Sequence, residues 1–321
     1  MSNIWLDGMM GLVIGDALGN PVQFSSRETI QKQGYVKGME SGGVYHTPVG
    51  TWTDDSSMAL ATLDSIRMCG GINLNDIMQK FMFWLYDGRY TPFRQAFDQG
   101  GTCTAAITDY SRNHNPFICG RIGEFANGNG GLMRILPVCL FGVDLEDDEA
   151  AIRFVHDVTA LTHNHPRALI ASGMYYFMVK EMISGTGDMI ERLQNGYDHA
   201  FRFYHLDQKF SKELGSYTRL MSMGAFSSLD EWQIRSSGYV VDTLEAAVWS
   251  LATTGSFRDA LLKAVNLGDD ADTVGAVAGG LAGLFYGHDA IPAGWTAAIQ
   301  RRGWIEDLCN EMPDICVLPF C

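Results

Sequence analysis

The sequence predicts an all-α protein, because apolar residues recur at three- and four-residue spacing along most of its 321 residues. Runs of alternating β-branched residues, which would indicate strands, are few. The helical pattern begins at Trp5 and Met9 and continues through Ile77 and Phe81. With 46% hydrophobic residues and no linker-like stretch, the chain is expected to form one large domain over residues 1–321.

Further helices follow from the same spacing, and loop-rich segments separate them. The helices are expected near residues 148–162, 166–184, 241–254 and 257–266. The loop-rich segments are residues 34–50, 87–104 and 113–131. Loops of this length in a helical protein usually carry function or disorder, and their Gly and Asn residues suit backbone that faces a ligand.

The segment Thr273 to Gly287 is predicted to be a buried central helix with one nearly bare face. That face consists of glycines spaced four residues apart: Gly275, Gly279, Gly283 and Gly287. It allows close helix packing, although each Gly costs about 1 kcal/mol of helix propensity relative to Ala. The segment is too short to cross a bilayer, so we expect it to hold the residues just before it rigidly.

Composition narrows the functional class. A formal charge of −14 argues against binding a nucleic-acid backbone, which requires clusters of Lys and Arg. No signal-peptide pattern or membrane span is recognised, so no membrane partner is expected. Seven scattered cysteines without a CxxC pair predict a reduced, cytoplasmic protein whose thiols are small core residues or bystanders. They are Cys69, Cys103, Cys119, Cys139, Cys309, Cys316 and Cys321.

Two acidic clusters are the most informative feature of the chain, Thr53-Asp54-Asp55-Ser56 and Asp269-Asp270-Ala271-Asp272-Thr273. Each precedes an apolar, helix-like run, so these side chains would serve as N-caps of helices. The alternative is a shared cation site, because Mg²⁺ takes carboxylate and hydroxyl oxygens. A helix cap needs one acceptor, whereas these two segments together carry five Asp and two Thr. Close carboxylates repel by about 4 kcal/mol per pair at 4 Å and a dielectric near 20, which favours the cation.

Two other segments suit ligand contact without proving it. Asn127 to Arg134 is a Gly/Asn-rich turn before a predicted helix, where backbone N–H groups could reach phosphate oxygens. It lacks the Lys-Ser/Thr ending of a P-loop. His163 and His165 are two residues apart, which does not place both rings on one helix face, so a zinc site is not expected.

Isolated carboxylates occur in two glycine-containing segments. Asp98 would act as a general base or as a substrate-positioning acid, or it would merely cap Thr102 or Cys103. Asp16 offers another carboxylate near the N-terminus. The acidic run 144–149 lacks hydroxyl or His partners and is expected to be a solvated helix start.

The ordered series of these motifs resembles the ADP-ribosylglycohydrolase family over nearly the whole chain. The matching segments are residues 15–19, 53–55, Asp98, 127–130, 162–166, 237–243, 268–273 and 291–295. The resemblance implies an all-α orthogonal helical bundle around a binuclear centre of two Mg²⁺ or Mn²⁺ ions. The implied metal ligands are Thr53, Asp54, Asp55, Asp270, Asp272 and Thr273. Asp269 stands where relatives usually have Gly and is left out of the ligand set.

The same resemblance implies an activity, which is hydrolysis of the bond between ribose C1″ and a modified protein side chain. The favoured linkage is N-linked ADP-ribosyl-arginine, and the partners are ADP-ribose and the ADP-ribosylated protein. Asp98 matches a family carboxylate associated with catalysis and is expected to be the acid/base residue. The implied substrate-binding residues are Glu124, Asn127, Gly128, Asn129, Gly130, Gly131, His163 and Tyr239.

Gln23 is the one departure that bears on catalysis, because many relatives have Glu at this position of the Pro21-Val22-Gln23-Phe24 segment. A glutamine cannot exchange a proton, although it still forms hydrogen bonds. Three readings stay open. The chain is an arginine-directed hydrolase; it acts on O-linked or small-molecule ADP-ribose conjugates, with an immunity protein that reverses a toxin transferase as a related version; or it is an impaired ADP-ribose-binding member of the family.

Overall fold

A computed structural model describes residues 3–145 and 147–312 of the chain. These residues form α-helices joined by loops and short 3₁₀ turns, with isolated β-bridges but no β-sheet, so the predicted all-α class is confirmed. The helices are α1 Ile4–Gly19, α2 Arg27–Gln33, α3 Asp54–Cys69, α4 Leu74–Asp87, α5 Gly101–Asn113, α6 Leu136–Gly142, α7 Asp148–Ala160, α8 Pro166–Ser184, α9 Met189–Tyr204, α10 Met223–Ser227, α11 Val240–Ala252, α12 Phe257–Val265, α13 Ala271–Tyr286, α14 Ala293–Ala298 and α15 Arg302–Asn310.

The central contact of the fold is between α1 and α13. Their backbones touch along facing glycines, since a Cβ on Gly15 would lie 1.9 Å from the carbonyl oxygen of Gly275. A Cβ on Gly279 would lie 2.1 Å from the carbonyl oxygen of Gly11. Gly275, Gly279 and Gly283 of the predicted glycine face therefore form the surface on which α1 packs, whereas Gly287 follows the helix and faces open space. This contact brings the N-terminal part of the chain beside the second acidic cluster.

Helix α13 is buried from Ala271 to Gly283 and also packs against α8, α11 and α12. Helix α3 contacts α1, α6 and α13, so both acidic clusters begin helices that meet in the core. The helices predicted from periodicity occur with shifts of at most two residues at either end. Helix α5 begins at Gly101, inside the segment 87–104 that was expected to be a loop.

The remaining structural predictions concern local features. Asp147 caps α7 by accepting from the backbone N–H of Glu149 at 2.9 Å, as expected for a helix start; Glu146 lies outside the described residues. Five cysteines are free thiols, four of them buried, whereas Cys316 and Cys321 lie outside the described residues. No helix within residues 3–145 and 147–312 has the length and apolarity needed to cross a membrane.

Candidate functional site

Asp16 of α1 organises the first turn of α3. Its Oδ1 accepts the backbone N–H of Thr53 at 2.9 Å, and its Oδ2 accepts the N–H of Ser56 at 3.0 Å and the Ser56 hydroxyl at 2.5 Å. A carboxylate from another helix thus satisfies N–H groups that a local cap would otherwise serve. Asp16 was recognised in the sequence only as an isolated carboxylate, because the separation of about forty residues hides this contact.

The side chains at the two helix starts are not used as caps. Thr53 and Asp270 occupy the N-cap positions of α3 and α13, and neither side chain accepts a capping hydrogen bond from a backbone N–H of its own helix. The Thr53 hydroxyl instead donates to Asp55 Oδ2 at 2.9 Å. The structure therefore disfavours the capping alternative for these two residues.

Several buried oxygens in this region have no protein partner. Asp55 Oδ1 and both carboxylate oxygens of Asp272 are buried and accept no hydrogen bond. Ligand atoms of Asp16, Asp55 and Asp272 lie within 4.8 Å of one another, close enough to hold a metal ion. The oxygens of Asp16 are already occupied by α3, so the free ligands are those of Asp55 and Asp272. Buried carboxylates without donors fit a hard divalent cation.

Burial also determines the electrostatics of these acids. It raises the pKa of Asp16 to about 7, while the hydrogen bonds from Ser56 and Thr53 oppose that rise. Burial raises the pKa of Asp54, Asp55 and Asp272 well above the usual range, and the neighbouring carboxylates raise it further. A bound cation would reverse this effect by stabilising the charged forms.

A cleft of about 260 Å³ opens above these acids. Nine residues predicted to form the site line it: Gln23, Asp54, Asp98, Gly128, Asn129, Gly130, His163, Asp270 and Thr273. The predicted ligands Thr53, Asp55 and Asp272 are buried and do not line the cleft. Four predicted substrate-binding residues also do not line it: Glu124, Asn127, Gly131 and Tyr239.

Asp98 is held from both sides in this cleft. The Gln23 side-chain amide donates to its Oδ2, and the Tyr45 hydroxyl donates to its Oδ1 at 2.9 Å. Asp98 has a left-handed backbone, with φ of 54°. Its carboxylate does not cap α5, because the N-cap of that helix is Gly100 and no side chain caps it. The arrangement suits a carboxylate oriented toward a ligand.

The predicted Gly/Asn turn lies against His163. A Cβ on Gly130 would approach His163 Cε1 to 2.9 Å, so the close approach of this turn requires glycine. His163 Nδ1 is 2.8 Å from the Thr162 hydroxyl, and burial lowers the pKa of His163 to about 3. The ring is therefore neutral at physiological pH. With Nδ1 occupied, the other ring nitrogen is the one that faces the glycine turn.

Arg134 holds the turn and the histidine together. It donates from Nε to the Gly130 carbonyl at 2.9 Å and from Nη2 to the Thr162 hydroxyl at 2.8 Å. The guanidinium is fully buried, and burial lowers its pKa to about 10. In the sequence Arg134 marked only the end of the turn, since nothing there indicates a buried cation.

Asn129 connects the turn to the second acidic cluster. Its amide donates to Asp270 Oδ2 and, at 2.9 Å, to the Thr243 hydroxyl. The Tyr239 segment pairs with Gly128 through an isolated antiparallel bridge. Tyr239 thus contacts the turn through its backbone, and the ligand contact that the family resemblance implies for it stays a prediction.

Glu124 lies outside the cleft in an ion pair with Arg167, whose Nη1 is 2.7 Å from Glu124 Oε1. The Arg167 guanidinium is 5.8 Å from the centre of the Tyr239 ring. These residues form a charged layer next to the turn.

Phe24 is a cleft residue that sequence reasoning missed. Its ring is 60% exposed and its backbone is left-handed, with φ of 63°. The Phe24 N–H donates to the carbonyl of Asp269 at 2.6 Å, and the Asp269 N–H donates to the Ser25 carbonyl at 2.8 Å. Asp269 itself has φ of 54°, a conformation that favours glycine. No periodicity marks Phe24, because it lies in a loop and its backbone partner Asp269 is distant in the sequence.

The chain is similar to known proteins over nearly its whole length. Residues 5–318 match the sequence model of the family described as ADP-ribosylglycohydrolase. ADP-ribosylarginine hydrolase Tri1 of Serratia proteamaculans is 30% identical over 304 residues, which cover 95% of this chain and 77% of the relative. ADP-ribosyl-[dinitrogen reductase] glycohydrolase of Rhodospirillum rubrum is 32% identical over 302 residues, which cover 92% of this chain and 90% of the relative.

A solved structure described as an ADP-ribosylglycohydrolase-related protein complex has the same fold. It superposes with a TM-score of 0.79 at 31% identity, covering 97% of this chain and 96% of the other. The similarity therefore extends over the elements that carry the acidic clusters, Asp98 and the glycine turn.

Proposed function

The chain belongs to the ADP-ribosylglycohydrolase family, and we propose that its cleft hydrolyses the bond between ADP-ribose and a modified protein side chain, with arginine as the favoured acceptor. One observation carries this proposal. Acids from the starts of α3 and α13 meet beneath Asp98 in a single cleft, and buried oxygens of Asp55 and Asp272 have no protein partner.

The proposed cofactor is a pair of Mg²⁺ or Mn²⁺ ions. The oxygen donors that would hold them are Thr53, Asp54, Asp55, Asp270, Asp272 and Thr273. Such ions stabilise negative charge and orient hydroxyl groups when they are bound. They would also let a cleft with this many carboxylates accept the diphosphate of ADP-ribose.

The glycine turn supplies the proposed binding surface for ADP-ribose. Gly128, Asn129 and Gly130 line the cleft, and the neutral His163 ring faces the turn. Backbone N–H groups and an uncharged imidazole can donate to phosphate or ribose oxygens without adding a titrating charge. Asn127, Gly131 and Tyr239 support the turn, and Glu124 holds Arg167 beside it.

Asp98 is the proposed acid/base group. Water forms a bond to ribose C1″ while the bond from C1″ to the guanidine nitrogen breaks. Asp98 takes a proton from the water and passes it to the departing guanidine nitrogen, so the carboxylate is regenerated and the products are ADP-ribose and the free arginine side chain. Gln23 and Tyr45 donate to the two oxygens of Asp98 and so fix its direction. Gln23 is therefore proposed as a positioning residue.

Arginine is favoured as the acceptor for two reasons. Two relatives at 30% identity, from Serratia proteamaculans and Pseudomonas putida, are each named ADP-ribosylarginine hydrolase Tri1. A cleft lined by Asp54, Asp98 and Asp270 also attracts a cationic guanidinium. The proposed partner is an ADP-ribosylated protein, and a role as an immunity protein against a transferase toxin is one setting for that activity. We also propose that the protein is cytoplasmic and that residues 1–321 form one domain. We expect it not to bind a nucleic-acid backbone.

The test is release of free ADP-ribose from a protein ADP-ribosylated on arginine, with Mg²⁺ or Mn²⁺ present. Asp98→Asn should lower kcat by about 10²- to 10⁴-fold while ADP-ribose binding persists, because only proton transfer is removed. A panel of serine-linked, ester-linked and small-molecule conjugates tests the alternative linkages. Binding of ADP-ribose without turnover of any conjugate would contradict the enzymatic proposal and identify an impaired binding protein.

A further inference from the structure

A second cavity, of about 490 Å³, lies between the loop after α4 and the start of α15. Its charged lining consists of Arg89, Arg94 and Arg301, with Asp87 as the one acid among the described residues that line it. None of its lining residues belongs to the candidate active-site cleft. We call it the arginine cavity.

Three guanidinium groups in the arginine cavity have one carboxylate among its described lining residues, and Arg301 Nη1 donates to the Thr91 carbonyl at 2.9 Å. Arg89 Nε is 3.8 Å from Asp87 Oδ2, and both side chains are more than half exposed. Arg94 and Arg301 form no ion pair with a carboxylate within residues 3–145 and 147–312. Burial and the charge of Arg94 lower the pKa of Arg301. This concentration of cations occurs on a chain whose formal net charge is −14.

The arginines are backed by aromatic rings that neighbouring contacts hold in place. The Arg301 guanidinium lies 4.0 Å from the centre of the Trp304 ring, and the Tyr90 ring centre is 6.3 Å from that of Trp304. The Tyr90 hydroxyl donates to Asp64 at 2.8 Å, and the Trp52 indole donates to the Tyr90 carbonyl at 3.2 Å. The cavity therefore has a fixed aromatic wall.

Backbone strain is concentrated at the same place. Tyr90, Arg94 and Arg301 have φ of 63°, 58° and 50°. Among the residues that the structure describes, non-glycine residues with positive φ cluster at two places, this cavity and the cleft with Phe24 and Asp98. Left-handed backbone is unfavourable for non-glycine residues, and such residues are concentrated at functional sites and ligand clamps.

We propose that the arginine cavity binds a small organic phosphate, with Arg89, Arg94 and Arg301 contacting the phosphate group and the wall of Tyr90 and Trp304 contacting a planar group. Guanidinium groups match the geometry of phosphate oxygens, and bound phosphate would remove the mutual repulsion of the arginines. A nucleotide has both required parts, whereas inorganic phosphate has only the first. The bound ligand would touch the loop that also carries Asp98.

Titration calorimetry with AMP and with inorganic phosphate tests the proposal on the full chain. The double variant Arg89→Gln with Arg94→Gln should weaken AMP binding at least tenfold. Arg258→Gln is the matched control, because Arg258 is also half exposed and its ion-pair partner is the adjacent Asp259 at 3.4 Å. AMP should bind more tightly than phosphate. Equal binding of AMP and phosphate would overturn the role of the aromatic wall.

Chemical protection provides a second readout that does not depend on the folding of a variant. Phenylglyoxal modifies accessible arginines, and mass spectrometry locates the modified residues. AMP should protect Arg89 and Arg94 but not Arg258. Absence of protection, AMP affinity unchanged in the double variant, or binding of an acidic peptide in place of AMP would each overturn the proposal.

Discussion

The amide of Gln23 donates a hydrogen bond to the carboxylate of Asp98 within the candidate active-site cleft. A residue that the sequence marked as a loss of acid/base chemistry therefore has a definite partner. With the Tyr45 hydroxyl on the other oxygen, Asp98 is oriented by two uncharged donors. At the Gln23 position, Asp98 therefore meets an amide donor and not another carboxylic acid.

Gln23→Glu should change the pH dependence of hydrolysis. The new carboxylate would lie against Asp98, and two carboxylates that share a site raise one of their pKa values strongly. The acid limb of the kcat/KM profile should therefore move upward by about 1 pH unit or more. Gln23→Met, which removes the donor without adding charge, is the control. A uniform increase in rate with no shift of the profile would mean that Glu supplies a base that the natural chain lacks.

Removing divalent cations should make the protein less stable as pH rises. Burial raises the pKa of Asp16 to about 7 and that of Asp55 and Asp272 well above their usual range. A group with a raised folded-state pKa contributes its stability below the unfolded-state pKa and loses it as pH passes the folded-state value. In EDTA, Tm should therefore fall between about pH 4, the unfolded-state pKa of Asp, and neutral pH.

Adding Mg²⁺ or Mn²⁺ should restore Tm at neutral pH, because the cation stabilises the ionised carboxylates. Scanning calorimetry across this pH range, with and without metal, measures both the change of Tm with pH and the change of Tm on adding metal. Asp272→Asn should reduce the slope with pH and the effect of metal together. Equal Tm values with and without metal at neutral pH would contradict a cation site here.

Gly279→Ala should destabilise the protein and weaken metal binding. The new methyl group would lie 2.1 Å from the Gly11 carbonyl oxygen, so α1 and α13 must separate. Overpacking of this kind costs about 1–3 kcal/mol of unfolding free energy, and more where backbone is the obstacle. Chemical denaturation measures the loss. Gly303→Ala in α15 faces open space and should instead be neutral or stabilising by up to about 1 kcal/mol. Equal effects of the two substitutions would refute the helix contact.

Arg134→Met should weaken ADP-ribose binding more than it alters metal binding. The substitution leaves the Gly130 carbonyl without its donor and releases the Thr162 hydroxyl that contacts His163. A buried group left without its partner costs about 1–3 kcal/mol, so Kd for ADP-ribose should rise roughly 5- to 150-fold. Calorimetry with ADP-ribose and with Mn²⁺ separates the two sites. Arg134→Lys retains a donor, so its affinity for ADP-ribose should fall less than that of Arg134→Met. If Arg134→Met lowers the affinities for ADP-ribose and Mn²⁺ equally, general misfolding is indicated.

The all-α class and the main helices were predictable because the period of apolar residues is a local property of the chain. The glycine face of α13 was predictable for the same reason, as were the acidic clusters at helix starts. Sequence order also placed Asp98 and the glycine turn among the candidates. Each of these signals lies within a few residues of the feature that it predicts.

Contacts between distant segments were not predictable in this way. Asp16 bonds to α3 across about forty residues, Tyr45 meets Asp98, and Arg134 is a buried cation between two loops. Such residues look like ordinary polar positions until the helices pack. The same is true of the arginine cavity, since Arg94 and Arg301 are more than two hundred residues apart and meet only in the folded chain.

The sequence alone determined the helical class, the acidic clusters and the family resemblance, because these depend on residue type and local spacing. Tertiary structure decided whether the acids cap helices or are free to bind a cation. The reason is geometric. Close packing of α1 on α13 brings Asp16 to the start of α3, where it satisfies the backbone N–H groups of Thr53 and Ser56 and leaves oxygens of Asp55 and Asp272 without a protein partner.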